Sequence, residues 1–203
     1  MSNSSTTPAG PTVQTAPTAR SRAKADRRNA LLSAAARLFA ESGFDRVSLE
    51  DLGAAVGVSG PAVYRHFDSK HAVLGALLVE ASEGLSQGGR AVVDMSPDAA
   101  ATLTALIAFH VDFALANADV IRVQDRDLGS LGDPDRHTVR ALQRSYVELW
   151  VDVLATVAPQ VPRTVLRTRA HATFGLMNST PHSGSTRETR GVLETMALAA
   201  LRS

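Results

Sequence analysis

Apolar residues recur along most of this chain at the three-and-four spacing of a helix face. Leu31, Ala34, Ala35, Leu38 and Phe39 form one such face, which predicts a helix over residues 25–42. Gly43 follows, where a helix commonly ends in the left-handed region. Ser48 and Asp51 have the spacing of a capping box, so a second helix starts at Ser48. It is short, because Gly57 follows Leu52, Ala55 and Val56. Ser59 is then an N-cap, with Gly60 and Pro61 in the first turn of a third helix over residues 60–67. Proline loses no helical hydrogen bond there, because the first N–H groups have no partner inside the helix. This helix turns Val58 and Val63 inward and Pro61, Ala62 and Arg65 outward. Ser69 caps a fourth helix that carries Val73, Leu74, Leu77 and Leu78.

The pattern stays helical to the end. Pro97 opens a helix through Asn117, and two glycines and a proline break the pattern over residues 120–135. A long helix over 135–157 carries Val139, Leu142, Tyr146, Leu149, Trp150, Val153 and Val157 as its stripe. Two more are expected over 163–179 and 187–201. No segment alternates as a strand would. Residues 1–19 carry no charged side chain and no apolar period, so the first 23 residues are expected to form a disordered tail.

Composition agrees with an all-α chain. Aromatic residues make up 4%, so Ala, Leu and Val must build the core, and Ala and Leu favour helices over sheets. There is no cysteine, which excludes disulfides, thiolate metal sites and thiol nucleophiles. No uninterrupted apolar run approaches the ~18 residues of a membrane helix, and no secretory h-region opens the chain. A soluble, cytoplasmic protein with no membrane partner is expected. The net charge is +1, yet residues 20–70 carry nine Arg or Lys against six Asp or Glu. A basic front on a mildly acidic body points to an anionic partner for the front.

Helix, glycine turn, then a helix starting at a polar cap is the layout of a helix-turn-helix, whose second helix enters the major groove by its N-terminal end. A plain corner between two helices has the same spacing, so the pattern alone leaves both open. The stretch RRNALLSAAARLFAESGFDRVSLEDLGAAVGVSGPAVYRHFDSKHAVLGALL, residues 27–78, resembles the TetR family of bacterial transcriptional regulators. AARLFAESGFD, VSLEDLGAAVGVS and YRHFDSK carry the resemblance. It implies a DNA-binding domain over residues 24–85, with the helix-turn-helix at 48–67. A helical ligand-binding and dimerisation domain over 86–203 follows from it too. The implied partners are an inverted-repeat operator in double-stranded DNA, a second copy held through the last two helices, and a small effector that releases the DNA.

By position, the resemblance makes Ser48 a phosphate-contacting cap. It makes Ser59, Gly60, Pro61 and Ala62 the groove-facing start of the recognition helix. Tyr64 and His66 become phosphate-contacting rings, and Lys70 a phosphate-pairing lysine. Many members have a hydroxyl residue where Ala62 stands, and Ala offers only apolar contact, for example to a thymine methyl. Arg65 is then the candidate for a guanine contact, with phosphate pairing as the other possibility. A nonspecific, architectural DNA-binding protein is the alternative function.

No nucleophile elbow or metal-ligand spacing occurs, so no enzyme, metal or cofactor is expected. Phe109, His110 and Phe113, then Tyr146 and Trp150, then Phe174 and Asn178 could line an apolar effector pocket with a few polar groups. The same residues would also serve as ordinary core. Arg122 and Arg126 lie four apart and could recognise a carboxylate or phosphate at its mouth. The stripe Val192, Leu193, Met196, Ala199 and Ala200 fits a dimer face, or burial within one copy.

Overall fold

The computed structural model describes residues 19–96, 98–183 and 186–202. Among these are nine α-helices and no strand. They are α1 (Ala19–Ser42), α2 (Leu49–Ala55), α3 (Gly60–Val63), α4 (Lys70–Asp94), α5 (Ala99–Ala116), α6 (Ala118–Asp127), α7 (Asp133–Val157), α8 (Arg163–Met177) and α9 (Arg187–Arg202). Single 3₁₀ turns at Phe44–Arg46, Leu128–Ser130 and Thr180–His182 bend the chain between helices.

The first core gathers Leu31, Ala35 and Phe39 of α1, Leu52 of α2, Val63 of α3, and Val73, Leu74 and Leu78 of α4. Val120 and Val123 of α6 and Val139 of α7 join it, so the second half of the chain helps to build the core of the first. The second core lies among α5, α7, α8 and α9 around the fully buried Trp150. α4 runs unbroken through residues 85 and 86, where the resemblance placed the domain boundary. One rigid helix therefore belongs to both domains.

Several boundaries differ from expectation. α1 starts at Ala19 rather than near residue 25, so residues 19–23 of the expected tail are helical. The rest of that tail, residues 1–18, lies outside the described residues, as does Pro97. Asp98 caps α5 instead, accepting from the N–H groups of Ala100 and Ala101 at 3.2 and 3.3 Å. The expected break over 120–135 is largely helix α6. Its apolar side, Val120, Ile121 and Val123, is buried, and both glycines fall beyond it in the 3₁₀ turn and the α7 cap. α3 is a single turn, and residues 64–66 continue as a tight turn rather than as helix. α5, interrupted by polar residues, still reaches a mean hydropathy of 1.7 over 18 residues, enough by length and composition to cross a membrane. Here it packs against α4, α7 and α9.

Candidate functional site

The turn between α2 and α3 is set by two glycines. Gly57 sits at φ +70°, a backbone that L side chains rarely adopt. Gly53 does the other half: a Cβ there would lie 2.8 Å from the Val58 carbonyl oxygen and 3.0 Å from a Val63 methyl. Its own carbonyl accepts from the Val58 N–H at 2.9 Å. The capping box forms as expected. Asp51 N–H donates to Ser48 Oγ at 3.1 Å, and Ser48 N–H donates back to the Asp51 carboxylate at 2.8 Å. The Ser48 backbone and hydroxyl donors hold the Asp51 carboxyl below its ordinary pKa. Ser59 occupies the N-cap of α3, but its side chain makes no capping bond.

Leu52, Val63 and Phe67 anchor this unit in the core. Ser59, Pro61, Tyr64 and Arg65 are exposed, and Gly60, Ala62 and His66 are half-buried. The groove-facing candidates thus share one accessible edge. His66 Nδ1 is buried without a hydrogen-bond partner. Burial, then Lys24, Arg27, Arg28 and Arg65, hold the imidazole below its ordinary pKa. These four cations converge beside the recognition turn. Sequence reasoning passed over Lys24 and Arg27, although the basic run at 20–28 was visible.

Lys70 is already engaged within the protein. Its ammonium donates to the carbonyls of Phe44 and Asp45 at 2.8 and 3.2 Å and lies 4.4 Å from the Phe44 ring centroid. It ties the start of α4 to the α1–α2 connection. One of its three N–H groups stays available to a phosphate.

The second feature is a cavity of about 250 Å³ walled by α4, α5, α6, α7 and α8. His110, Phe113, Tyr146, Phe174 and Asn178 all line it. The rings of His110, Tyr146 and Phe174 lie nearly parallel, 18–22° apart, with centroids at 5.0–5.8 Å. Burial raises the Tyr146 pKa, so the phenol keeps its proton and donates to His110 Nδ1 at 3.3 Å. His110 Nε2–H then donates to Asn178 Oδ1 at 3.0 Å. Burial pulls the His110 pKa down to about 4, so the ring is neutral at physiological pH. The wall also includes Gln124, Gln143 and His171, which sequence reasoning missed. Gln143 sits one turn before Tyr146, the spacing that could have marked it.

Four expected pocket residues stand elsewhere. Trp150 lies behind the lining, edge-on to His110 and Phe174 at 6.0 and 5.1 Å. Phe109 lies one turn before Phe113 but outside the cavity, its ring against α4 in the space left by Gly88. Arg122 donates to the Pro181 carbonyl at 2.8 Å. Arg126 pairs with Asp127 at 2.9 Å and reaches across to the Phe39 and Ala40 carbonyls of α1. Both arginines lie on the α6 face opposite the cavity, because Val120, Ile121 and Gln124 take the inward face.

These features define an all-helical protein with an N-terminal helix-turn-helix and a C-terminal helical domain enclosing a cavity. The sequence matches the tetR family of bacterial regulatory proteins over residues 31–77, and the tetracyclin repressor-like C-terminal domain over residues 96–182. The chain belongs to the TetR family. It is 31% identical over 132 residues to the HTH-type transcriptional repressor KstR2 of Rhodococcus jostii, covering 64% of this chain and 65% of that protein. It is 30% identical over 120 residues to the nucleoid occlusion factor SlmA of a Marinomonas species, covering 59% and 60%. The matches thus span less than two thirds of these relatives. A TetR-family regulator from Bordetella parapertussis shares the fold, with a TM-score of 0.79 at 23% identity, over 87% of this chain and 94% of that one.

Proposed function

We propose that this chain is a ligand-responsive DNA-binding transcriptional regulator of the cytoplasm. It binds an inverted repeat as a dimer and lets go when a small effector enters the cavity. The name of the Rhodococcus relative supports the sign of a repressor. One observation carries the coupling. α6 walls the cavity with Val120, Ile121 and Gln124 and, from its other face, grips the C-terminal carbonyls of α1 through Arg126. A ligand that displaces α6 thereby acts on the helix-turn-helix domain without touching it. It must bind the DNA-free arrangement more tightly, since equal affinity for both shifts nothing.

The accessible edge formed by Ser59, Gly60, Pro61, Ala62 and Arg65 is the groove-reading surface. Ser48, Tyr64, His66 and Lys70 are the phosphate-positioning groups around it. The α9 stripe supports dimerisation. Leu193, Ala197 and Leu201 are buried within one copy, while Val192 and Met196 are half-exposed and share a shallow groove with Leu176 of α8. A second copy would cover that face, as in a two-fold dimer presenting two recognition helices to two half-sites.

Footprinting on genomic fragments tests the proposal, with symmetric protection of an inverted repeat as the expected result. Equal affinity for random DNA at physiological salt supports the architectural alternative instead. Phe113→Trp and Phe174→Trp, which fill the cavity, should abolish release by the effector and leave operator affinity intact.

A further inference from the structure

The cavity lining constrains what can enter it. Among the described residues that line it there is no lysine, arginine, aspartate or glutamate. The nearby arginines of α6 are committed to main-chain carbonyls on the far side of that helix. The Ser82 hydroxyl is spent on the Leu78 carbonyl at 2.7 Å. What faces the space is Gln124, Gln143, the linked Tyr146–His110–Asn178 chain and, at the exposed rim, the imidazole of His171, on a background of rings and aliphatic side chains.

An ionised ligand would give up much of its water in this space and find no carboxylate, ammonium or guanidinium on the wall to replace it, which is costly. His110 does not supply one, because burial keeps it neutral at physiological pH. Nor does the neighbouring groove help an anion. Phe113 lines both the cavity and a neighbouring open groove of about 710 Å³ between α1, α4 and the α5–α6 junction. The charged side chains lining that groove are Asp119 and Glu80, and Glu80 is already paired with Arg28. An anionic head group reaching past Phe113 would meet the Asp119 carboxylate, with no lysine or arginine among the groove's lining residues.

Shape and hydrogen bonding complete the description. The three near-parallel rings make this wall aromatic, which suits a flat, unsaturated partner. The volume of about 250 Å³ lies at the small end for ligand pockets. The amides of Gln124 and Gln143 offer both donors and acceptors.

We propose that the cavity takes an uncharged ligand of one or two fused rings, bearing a ketone, hydroxyl or amide held by Gln124, Gln143 or the His110 chain, and that it rejects carboxylates and phosphates. This rests on the regulator proposed above and names its effector class.

The chain supplies its own reporter, because Trp150 is its single tryptophan and stands edge-on to two of the cavity rings. The full chain is titrated at neutral pH with α-tetralone and with α-naphthoate, bicycles of similar size that differ in charge. Trp150 fluorescence and calorimetry are both read. Tetralone should bind at least tenfold more tightly than naphthoate. Gln143→Arg, which places a cation on the wall, should reverse that order. Naphthoate binding as well as tetralone to the unmodified chain overturns the proposal, and so does the absence of tetralone binding at millimolar concentration. Tetralone binding that leaves the hold on operator DNA unchanged counts against the coupling of cavity to DNA, not against the ligand class. Operator release by an anionic metabolite that competes with tetralone keeps the regulator and overturns the class.

Discussion

Arg126 on α6 donates to the main-chain carbonyl of Phe39, 87 positions earlier in the chain and near the end of α1. The guanidinium also holds Asp127 and reaches the Ala40 carbonyl at 3.4 Å. Two helices from different halves of the molecule are thus joined at the C-terminal turn of α1, where the Phe39 carbonyl also accepts from the Gly43 N–H at 2.8 Å. Arg126→Ala should keep the fold, since Val120 and Val123 still pack against the first core. Stability should fall by about 1 kcal/mol, the lower range for hydrogen bonds to a charged group, because the side chain is partly exposed. Effector-driven release should weaken far more than ligand binding. Urea unfolding and parallel DNA and ligand titrations would show it.

Gly53→Ala should destabilise the helix-turn-helix by roughly 1–3 kcal/mol. The added methyl meets a backbone oxygen at 2.8 Å, which cannot swing away as a side chain could. Thermal unfolding checks this. Gly84→Ala, where nothing lies within 4 Å of the added atom, is the control that should leave the midpoint unchanged or raised.

Arg65 and Lys70 should separate by experiment. Arg65 is exposed, so Arg65→Ala should leave stability alone and reduce DNA affinity. A loss of about 1–3 kcal/mol confined to one base position marks a guanine contact. A uniform loss marks a phosphate. Lys70→Ala should lower both stability and affinity, because the ammonium holds Phe44 and Asp45 in the free protein. Its salt slope should flatten by roughly one unit.

The pH dependence of stability carries the signature of His110. Its folded pKa is about 4 against 6.5 for the free side chain. Between those values the unfolded chain binds the proton and the folded chain does not, so stability falls as pH drops from about 6.5 towards 4. Above that window His110 contributes no slope. The loss should total roughly 2–4 kcal/mol. His110→Gln should remove that part of the decline, as measured by denaturant unfolding at the two ends of the window.

Val192→Glu with Met196→Glu should yield monomers by sedimentation. Both positions are half-exposed in one copy, so the substitutions spare the core while charging the proposed contact face. The first core should melt much as before, and operator affinity should collapse.

The sequence was most legible where one short-range rule decides the outcome. Ser48 and Asp51 formed their box, Gly57 took positive φ, and the Leu31–Phe39 face went to the core, because each depends on neighbours within one or two turns. Gly53 was missed because its constraint comes from Val58 and Val63 folding back, not from its own backbone. The residues of the cavity were half legible. Helical spacing put His110, Phe113, Tyr146, Phe174 and Asn178 on inward faces, but it could not say which side of α5 would meet α4. Nor could it say where along α4 a glycine would leave room: Phe109, one turn from Phe113, filled the space at Gly88 and stayed out of the cavity. Arg122 and Arg126 were misplaced for a related reason. Two glycines and a proline suggested a loop, and a loop has no opposite face to which arginines can be assigned. α6 does.

α4 spans 25 residues without interruption, which at 1.5 Å per residue makes a bar about 37 Å long. Its first turns sit in the helix-turn-helix core, while Ala81, Ser82 and Leu85 farther along wall the cavity. A bar with its fulcrum near the middle converts rotation into travel. A tilt of about 10° carries the Lys70 end through roughly 3 Å. Two copies moving in opposite senses would change the separation of their recognition turns by roughly 6 Å, against a half-site repeat of about 34 Å. In the dimer proposed above, a ligand too small to reach the DNA-binding surface would thus take the pair out of phase with the double helix by leverage alone.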